Sequence, residues 1–408
     1  MKRNKILRVQ IVLMAIISIL LLIYGVWFLA RHPRFSCDLN MRYYEIACAH
    51  EGIDSFDIFE RKISSDRFFG HPRPDKPDEE EGDRKDVHAY PAWHTAVFWW
   101  YGFVSEKACF AIMLGMYLCS CVWIGIWAVK RIQFFDMEHY IAGILFLLVI
   151  MEYSINYVFF SMNYGLLLLG CSCLLYAVLE KKNEILASIA FSLIMTKPQI
   201  GILFLIPLII NRNYKTVIIA GLLCIIETLF TAWKLDKSPI ELILQIPKIG
   251  APYYKGYIGQ AFIDLFGPFG LYIPMAAFAS LATAGCFLLR NAKDVWVRFL
   301  PAIAFTPFWT YSQNHDWVIV LPCCIYIINN IQKWPRLCSI CFWLAILRAV
   351  ALLAYEHSCY SIGKLGLSTL FFLTIVSLSC LMAILNENEK WDYRSVMRKM
   401  IFMGRDDG

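Results

Sequence analysis

The sequence predicts an all-α integral membrane protein with about 12 transmembrane helices. Of its 408 residues, 59% are hydrophobic and 17% are charged, whereas about 25% are charged in a typical soluble domain. Continuous apolar runs recur along the chain, and many reach the roughly 18 residues that a helix needs to cross a bilayer. Because these runs do not alternate with polar residues, they indicate helices.

The basic loops predict the order and direction of the spans. Four basic residues within positions 2–8 precede the first apolar run, residues 9–30, and place the N-terminus in the cytoplasm by the positive-inside rule. A long polar loop, residues 31–107, then lies outside. Further long spans are expected at residues 108–129, 140–160, 164–179, 217–233, 271–289, 338–355 and 366–385.

Several shorter apolar runs indicate half helices or re-entrant segments. Residues 185–195 and 200–210 are each too short to cross a bilayer upright. Between them lies Lys197, and the proline that follows it disfavours helical backbone at Lys197. Residues 299–309 and 317–328 form a second pair of short runs. The chain therefore contains polar breaks at membrane depth, which are tolerated only where the backbone is buried in protein or lines water.

The remaining segments complete a single transmembrane domain, residues 1–408. A second outer loop, residues 234–268, contains the amphipathic stretch 239–249, which is predicted to lie as a helix in the membrane interface. The tail, residues 386–408, is predicted to be cytoplasmic like the N-terminus. The expected location is the cell membrane, with the membrane lipids as partners.

Charge and cysteine content exclude several classes of protein. The net charge of +6 is explained by basic cytoplasmic loops, and no basic patch interleaved with aromatics indicates nucleic-acid binding. The 15 cysteines lie mostly inside apolar runs and are typical of small buried hydrophobic residues. Cys37 and Cys48 in the first loop could form a disulfide, which the sequence leaves open. No metal-ligand spacing is present, and no cofactor is expected.

The first loop carries the leading candidate for an acid–base group. Asp38 follows the end of the first span by about eight residues, so it can stay at the membrane surface. Arg42 is four residues on, which places it on the same face of a helix, and Tyr43 and Tyr44 follow. The alternative is an ordinary surface pair between Asp38 and Arg42.

Other polar residues fall on the same side of the membrane in the predicted topology. They are Tyr90, His94, Asn163, Lys197, Gln199, His315 and Asp316. Each has a structural alternative. Lys197 could be a snorkelling lysine at a helix end, and Asn163 and Gln199 could form ordinary interhelical hydrogen bonds. His315 and Asp316 could be an outer-loop pair, and Tyr90 and His94 could belong to an aromatic belt. Sugar stacking on Trp93 is a further alternative.

Several motifs occur together in one order along the chain. They are Asp38 with Tyr43 and Tyr44, Ala89-Tyr90-Pro91-Ala92-Trp93, Ser161-Met162-Asn163-Tyr164-Gly165, Lys197-Pro198 within a helical hairpin, and Thr306-Pro307 through His315-Asp316 before Leu321-Pro322. In this order they resemble the multi-spanning GT-C glycosyltransferases, and within them glycosyltransferase family 87. The chain departs from the family pattern at Ala92, at Asp316 in place of a second histidine, and in the acidic insertion 75–86.

The resemblance implies a hexosyltransferase that uses a polyprenyl-phosphate-linked sugar, mannose or another hexose or pentose. The acceptor would be a lipid or glycan on the extracytoplasmic face. Asp38 would act as the base, His315 as a catalytic partner of the donor phosphate or the acceptor, and Lys197 would face the donor phosphate. The expected substrate-binding residues are Arg42, Tyr43, Tyr90, His94, Asn163, Lys197, Gln199 and Asp316, with no bound metal.

The sequence leaves two other classes of function as alternatives. A polytopic transporter or lipid-linked-glycan flippase needs a polar path at mid-membrane, for which Glu152 and Glu227 are the candidates. Separation of Asp38 from Lys197 would favour it. A membrane O-acyltransferase needs a buried histidine reached from the cytoplasm, whereas the histidines here fall outside or in loops.

Overall fold

Helices account for the regular structure throughout the part of the chain that is described. The computed structural model describes residues 2–31, 37–59, 90–133, 136–250, 262, 265–310, 314–355 and 362–387, and no strand occurs within them. The predicted all-α class is therefore confirmed there. The acidic insertion 75–86 and most of the predicted tail lie outside these residues.

The observed helices follow the predicted apolar runs closely. In chain order they are α1 (Lys2–Arg31), α2 (Cys37–His50), α3 (Ser55–Phe59), α4 (Ala92–Val97), α5 (Glu106–Arg131), α6 (Met137–Ser161), α7 (Gly165–Glu180), α8 (Glu184–Met195), α9 (Pro198–Ile210), α10 (Tyr214–Leu235), α11 (Pro239–Gly250), α12 (Tyr272–Leu288), α13 (Val295–Arg298), α14 (Leu300–Trp309), α15 (Leu321–Asn329), α16 (Pro335–Tyr355) and α17 (Ile362–Glu387). Short 3-10 helices cover Trp99–Phe103, Pro268–Leu271 and Asn314–Val320.

Four segments in the described residues are long and apolar enough to cross a membrane. They are Ile6–Tyr24, Glu106–Arg131, Tyr214–Leu235 and Thr369–Glu387. Several shorter apolar helices lie between them. The chain is thus an all-helical protein with candidate membrane spans, and the count of about 12 stays a prediction, as do the loop and tail boundaries of the single domain.

The hairpin of α8 and α9 breaks where the sequence predicts. Helix α8 ends at Met195 and α9 begins at Pro198, because proline suits the first turn of a helix but disfavours helical backbone at the residue before it. Lys197 is accordingly extended, with φ −121° and ψ 85°. The break places Lys197 at the tip of the hairpin.

The predicted short apolar run over residues 317–328 is helical, but its first part is a 3-10 helix. Residues Asn314–Val320 form a 3-10 helix, and the α-helix begins only at Leu321. Pro322 explains the change, because its ring and missing N–H are tolerated in the first turn of an α-helix but not in its interior. The tighter 3-10 turn carries Asp316 at its start.

The bundle has two distinct polar ends. The α6–α7 and α8–α9 turns lie at one end. Helix α7 runs from its turn to Glu180, a rise of about 24 Å, and there Glu180 forms an ion pair with Arg131 at 2.5 Å. At the start of α8, Glu184 forms an ion pair with Lys215 at 2.9 Å. These two ion pairs mark the end of the bundle opposite the turns.

The first loop packs beside the amphipathic helix α11 through a cluster of buried and half-buried polar side chains. Lys237 Nζ lies 2.7 Å from Asp54 Oδ2 and 2.8 Å from Asp57 Oδ2, and Gln245 donates to Asp54 Oδ2 at 2.8 Å. Burial lowers the pKa of Lys237, but its hydrogen bonds to the two carboxylates outweigh that effect and raise its pKa above the usual value. The cluster holds the predicted helix 239–249 against α3.

A disulfide between Cys37 and Cys48 is excluded. Both residues lie in α2, and 11 helical positions separate them by roughly 16 Å. Cystine requires Cα atoms within about 7 Å. Cys48 is a buried free thiol, and burial raises its pKa to about 12, so it is an inert structural residue.

Candidate active site

Residues from four separate segments meet in one continuous chain of polar contacts. The chain runs from Arg42 through Asp38, Asn163 and Lys197 to Asp316. Asp38 comes from α2, Asn163 from the α6–α7 turn, Lys197 from the α8–α9 turn and Asp316 from the 3-10 helix after α14. The acid from near the start of the chain and the cation from its middle are thus brought together.

Asp38 lies in the first turn of α2, where the helix dipole stabilises a negative charge. Its Oδ1 lies 3.7 Å from Arg42 Nε, at the i,i+4 spacing that the sequence indicates. Arg42 also lies 2.5 Å from Glu45 Oε2. The Asp38 side chain is 17% exposed, whereas that of Arg42 is 2% exposed. Asp38 is therefore a supported carboxylate that still reaches solvent.

Asn163 joins Asp38 to Lys197. Met162, the residue after the end of α6, has a left-handed backbone with φ 53° and turns the chain into the bundle. The Asn163 side chain donates to Asp38 Oδ2, and its Oδ1 accepts from Lys197 Nζ at 3.2 Å. Tyr117 holds the backbone by donating its hydroxyl to the Asn163 carbonyl. The residue is 3% exposed, so its contacts are made inside the protein.

Lys197 and Asp316 form a buried ion pair. The distance between Lys197 Nζ and Asp316 Oδ1 is 2.5 Å, and the side chains are only 4% and 1% exposed. A charge buried to this extent is strongly unfavourable unless it is paired and hydrogen-bonded. Asp316 therefore supplies the negative charge that allows an ammonium at the hairpin tip.

Stacked aromatic rings line one side of this polar chain. Tyr90 stacks on His94 with ring centroids 4.3 Å apart, and Phe98 stacks on Tyr164 at 4.6 Å. The Arg42 guanidinium lies 4.9 Å from the Tyr90 ring centroid, within cation–π range. Burial, followed by the nearby Asp38 carboxylate, raises the pKa of the Tyr90 hydroxyl. Tyr90 therefore stays a neutral phenol at physiological pH.

Two tryptophans hold the backbone on either side of Lys197. Trp93 in α4 donates its indole N–H to the Met195 carbonyl at 2.7 Å. Trp309 at the end of α14 donates to the Gln199 carbonyl at 2.6 Å. The last carbonyls of a helix lack partners within it, so Trp93 satisfies a group that the break after α8 leaves open. The sequence indicated an aromatic belt or sugar stacking for Trp93 and no role for Trp309, so neither backbone contact was predicted.

Trp93→Phe is expected to lower the rate of any reaction at this site by about 10-fold, because the unpaired Met195 carbonyl costs about 1–3 kcal/mol and lets the hairpin tip move. Trp309→Phe should have a smaller effect, because Gln199 lies within α9, where the helix supplies another donor. Turnover and thermal unfolding in detergent measure both effects. Trp233→Phe is the matched control, since Trp233 is 72% exposed; equal losses in control and test would contradict the assignment.

The other predicted site residues lie at varying distances from the polar chain. Tyr43 donates its hydroxyl to the Val104 carbonyl at 2.9 Å, and Gln199 has a half-buried side chain. His94 is buried in the aromatic stack. The backbone of His315 lies in the 3-10 helix Asn314–Val320, but its side chain is outside the described residues. Their roles stay predictions.

The structure also adds site residues that sequence reasoning missed. Glu45 pairs with Arg42, Tyr117 donates to the Asn163 carbonyl, and Tyr164 packs against the rings of Tyr90 and His94. The i,i+3 spacing of Glu45 from Arg42 is a signal that could have been used, and Tyr164 lies in the motif Ser161-Met162-Asn163-Tyr164-Gly165, whereas nothing local marks Tyr117. Among the described residues there is no group of three or more His, Cys, Asp or Glu side chains that could hold a metal ion.

Comparison with known proteins finds one family that the central part of the chain resembles. The model of glycosyltransferase family 87 matches residues 88–242. No curated protein and no solved structure matches the chain. The matched segment includes Asn163 and Lys197, whereas Asp38 and Asp316 lie outside it. The resemblance to glycosyltransferase family 87 found in the sequence is thus confirmed over residues 88–242, and this match indicates a membrane glycosyltransferase.

Proposed function

We propose that the chain transfers a sugar from a polyprenyl-phosphate donor to a hydroxyl group of a lipid or glycan. The observation that carries this proposal is the solvent-accessible Asp38 carboxylate, linked through Asn163 to a buried Lys197–Asp316 pair. A carboxylate held by donors, yet open to solvent, suits a general base for a hydroxyl. The family match supplies the reaction class, sugar transfer in a membrane.

The proposed step is a single displacement with inversion. The acceptor oxygen forms a bond to the anomeric carbon, and the bond from that carbon to the phosphate oxygen breaks. The hydroxyl proton passes to Asp38, while the bonding electron pair leaves with the polyprenyl phosphate. Because phosphate is a good leaving group, the step needs positive charge or hydrogen-bond donors near it rather than a strong acid. His315 is the proposed source next to the phosphate, while the buried Arg42 and Lys197 add positive charge from inside the protein without direct contact.

Charge asymmetry supports an extracytoplasmic site. The chain of polar contacts lies at one end of the bundle. Successive helices run in alternating directions, and this places many basic loop and helix-end residues at the opposite end of the bundle. They include Lys130, Arg131, Lys181, Lys182, Arg212, Lys215, Arg290 and Lys293. Cytoplasmic loops of membrane proteins are enriched in Lys and Arg. This supports cytoplasmic N- and C-termini and a donor that enters with its lipid tail in the membrane.

The sugar is proposed to be mannose or another hexose or pentose, by analogy with the family rather than from the geometry. Tyr43, Tyr90, His94 and Gln199 stay predicted substrate contacts. Tyr90 is the best supported of these, because it packs beside both Arg42 and Lys197. Its neutral phenol could donate a hydrogen bond to a sugar hydroxyl.

The transporter or flippase alternative loses its main support. Separation of Asp38 from Lys197 would have favoured it, whereas the Asn163 side chain joins the two residues. Glu227 lies on α10 with one buried carboxylate oxygen that has no hydrogen-bond partner within the described residues. The side chain of its predicted companion, Glu152, lies outside them. Within the described residues, Glu227 is thus the one of the two candidate residues that can be placed, and it does not by itself make a polar path.

The test is incubation of purified protein with a panel of polyprenyl-phosphate sugars and membrane lipid acceptors. We expect release of free polyprenyl phosphate and a glycosylated product with one donor, and none with the matching nucleotide sugar. Turnover with nucleotide sugars alone, or substrate movement across proteoliposomes without bond cleavage, would overturn the proposal.

A further inference from the structure

The orientation of the Asn163 amide is fixed by its partners. Its Oδ1 lies 3.2 Å from Lys197 Nζ and 3.2 Å from Gly165 N. An ammonium and a backbone N–H can only donate, so the atom that they face must be the carbonyl oxygen. The amide nitrogen is therefore the atom that faces Asp38, and it donates to Asp38 Oδ2.

This arrangement makes the two oxygens of Asp38 inequivalent. Oδ2 accepts an N–H from Asn163, and an oxygen accepts such a bond best when it carries no proton of its own. Oδ1 lies 3.7 Å from Arg42 Nε, beyond hydrogen-bond distance. A proton that binds to this carboxylate is therefore favoured on Oδ1, because on Oδ2 it would weaken the hydrogen bond from Asn163.

We propose that Asn163 is a positioning residue that directs the acceptor proton to Oδ1 of Asp38, and that it does not bind the substrate. This inference rests on the proposed function of Asp38 as the base. Lys197 and Asp316 act one step further away: the Lys197 ammonium holds the amide in its orientation, and Asp316 holds Lys197. At 3% exposure, Asn163 offers little surface to a sugar or a phosphate.

The charged and titratable groups around Asp38 set the background for a pH test. They are Arg42 and Glu45 on its own helix, Lys197 and Asp316 beyond Asn163, and the hydroxyls of Tyr90, Tyr117 and Tyr164. A change confined to Asn163 leaves all of these side chains in place. A shift in the pH dependence of turnover then reports on the contact between Asn163 and Asp38.

The experiment compares Asn163→Asp and Asn163→Ala with the wild type, using full-length protein and the active donor. Both variants should lower kcat by about 10- to 100-fold, because a charge-assisted hydrogen bond is lost. The donor KM should stay within about twofold, as expected when ground-state binding is untouched. The acidic limb of the pH–rate profile should move to higher pH in both variants. The shift should be larger in Asn163→Asp than in Asn163→Ala, because two adjacent carboxylates then compete for one proton.

The matched control is Asn183→Asp, the same chemical change at the opposite end of the bundle. Asn183 caps α8 by accepting from the Leu186 N–H, and aspartate caps equally well, so wild-type kinetics are expected. The inference is overturned if the Asn163 variants keep kcat, raise the donor KM at unchanged kcat, or leave the acidic limb in place. If Asn163→Asp fails to fold, Asn163→Ala decides. If the wild-type protein transfers sugar from none of the lipid-linked donors, the result contradicts the proposed function and not this inference.

Discussion

Asp38→Asn is expected to lower the rate of sugar transfer by about 100- to 10,000-fold, the usual contribution of a general base. Asparagine has the same shape, and its carbonyl oxygen can still accept from the Asn163 amide. The fold and the donor KM should therefore change little, while the acceptor hydroxyl has no group to take its proton. Single-turnover release of polyprenyl phosphate by the variant in liposomes measures the effect.

The control for this substitution is Asp136→Asn. Asp136 caps α6 by accepting from the His139 N–H, a role that asparagine also fills. It lies at the start of α6, the end of the bundle opposite Asn163, so normal transfer is expected. Full activity of Asp38→Asn beside a normal control would remove Asp38 from the mechanism, and with it the carboxylate-base proposal.

Local sequence signals predicted one side of the candidate site well. The i,i+4 spacing of Asp38 and Arg42 and the proline after Lys197 are short-range features with direct physical causes. These features correctly predicted the Asp38–Arg42 pair on α2 and the break between α8 and α9, because neither feature depends on distant parts of the chain.

The long-range contacts could not be predicted in the same way. Lys197 and Asp316 are separated by 119 positions, and Trp93 contacts the carbonyl of a residue 102 positions away. Such pairs are set by how the helices pack, and a single sequence carries no periodic pattern for them. The predicted topology placed these residues on one side of the membrane but did not indicate which of them touch.

Lys197→Met is expected to destabilise the protein by about 3–5 kcal/mol, because it leaves the buried Asp316 carboxylate without its ion-pair partner. Chemical unfolding in detergent measures this change. Lys215→Met is the matched control: Lys215 pairs with Glu184 at the opposite end, where the side chains are 62% and 41% exposed, and exposed pairs contribute about 0–1 kcal/mol. Equal losses in the two variants would show that burial of Lys197 is not what matters.

The double variant Lys197→Met with Asp316→Leu separates stability from activity. Replacing both charges with apolar groups removes the unpaired carboxylate, so most of the lost stability should return. Transfer should not return, because the Asn163 amide loses the ammonium that holds its orientation toward Asp38. A double variant that is both stable and fully active would mean that this ion pair only fills the interior of the bundle. A stable but inactive one would tie the pair to the chemistry at Asp38.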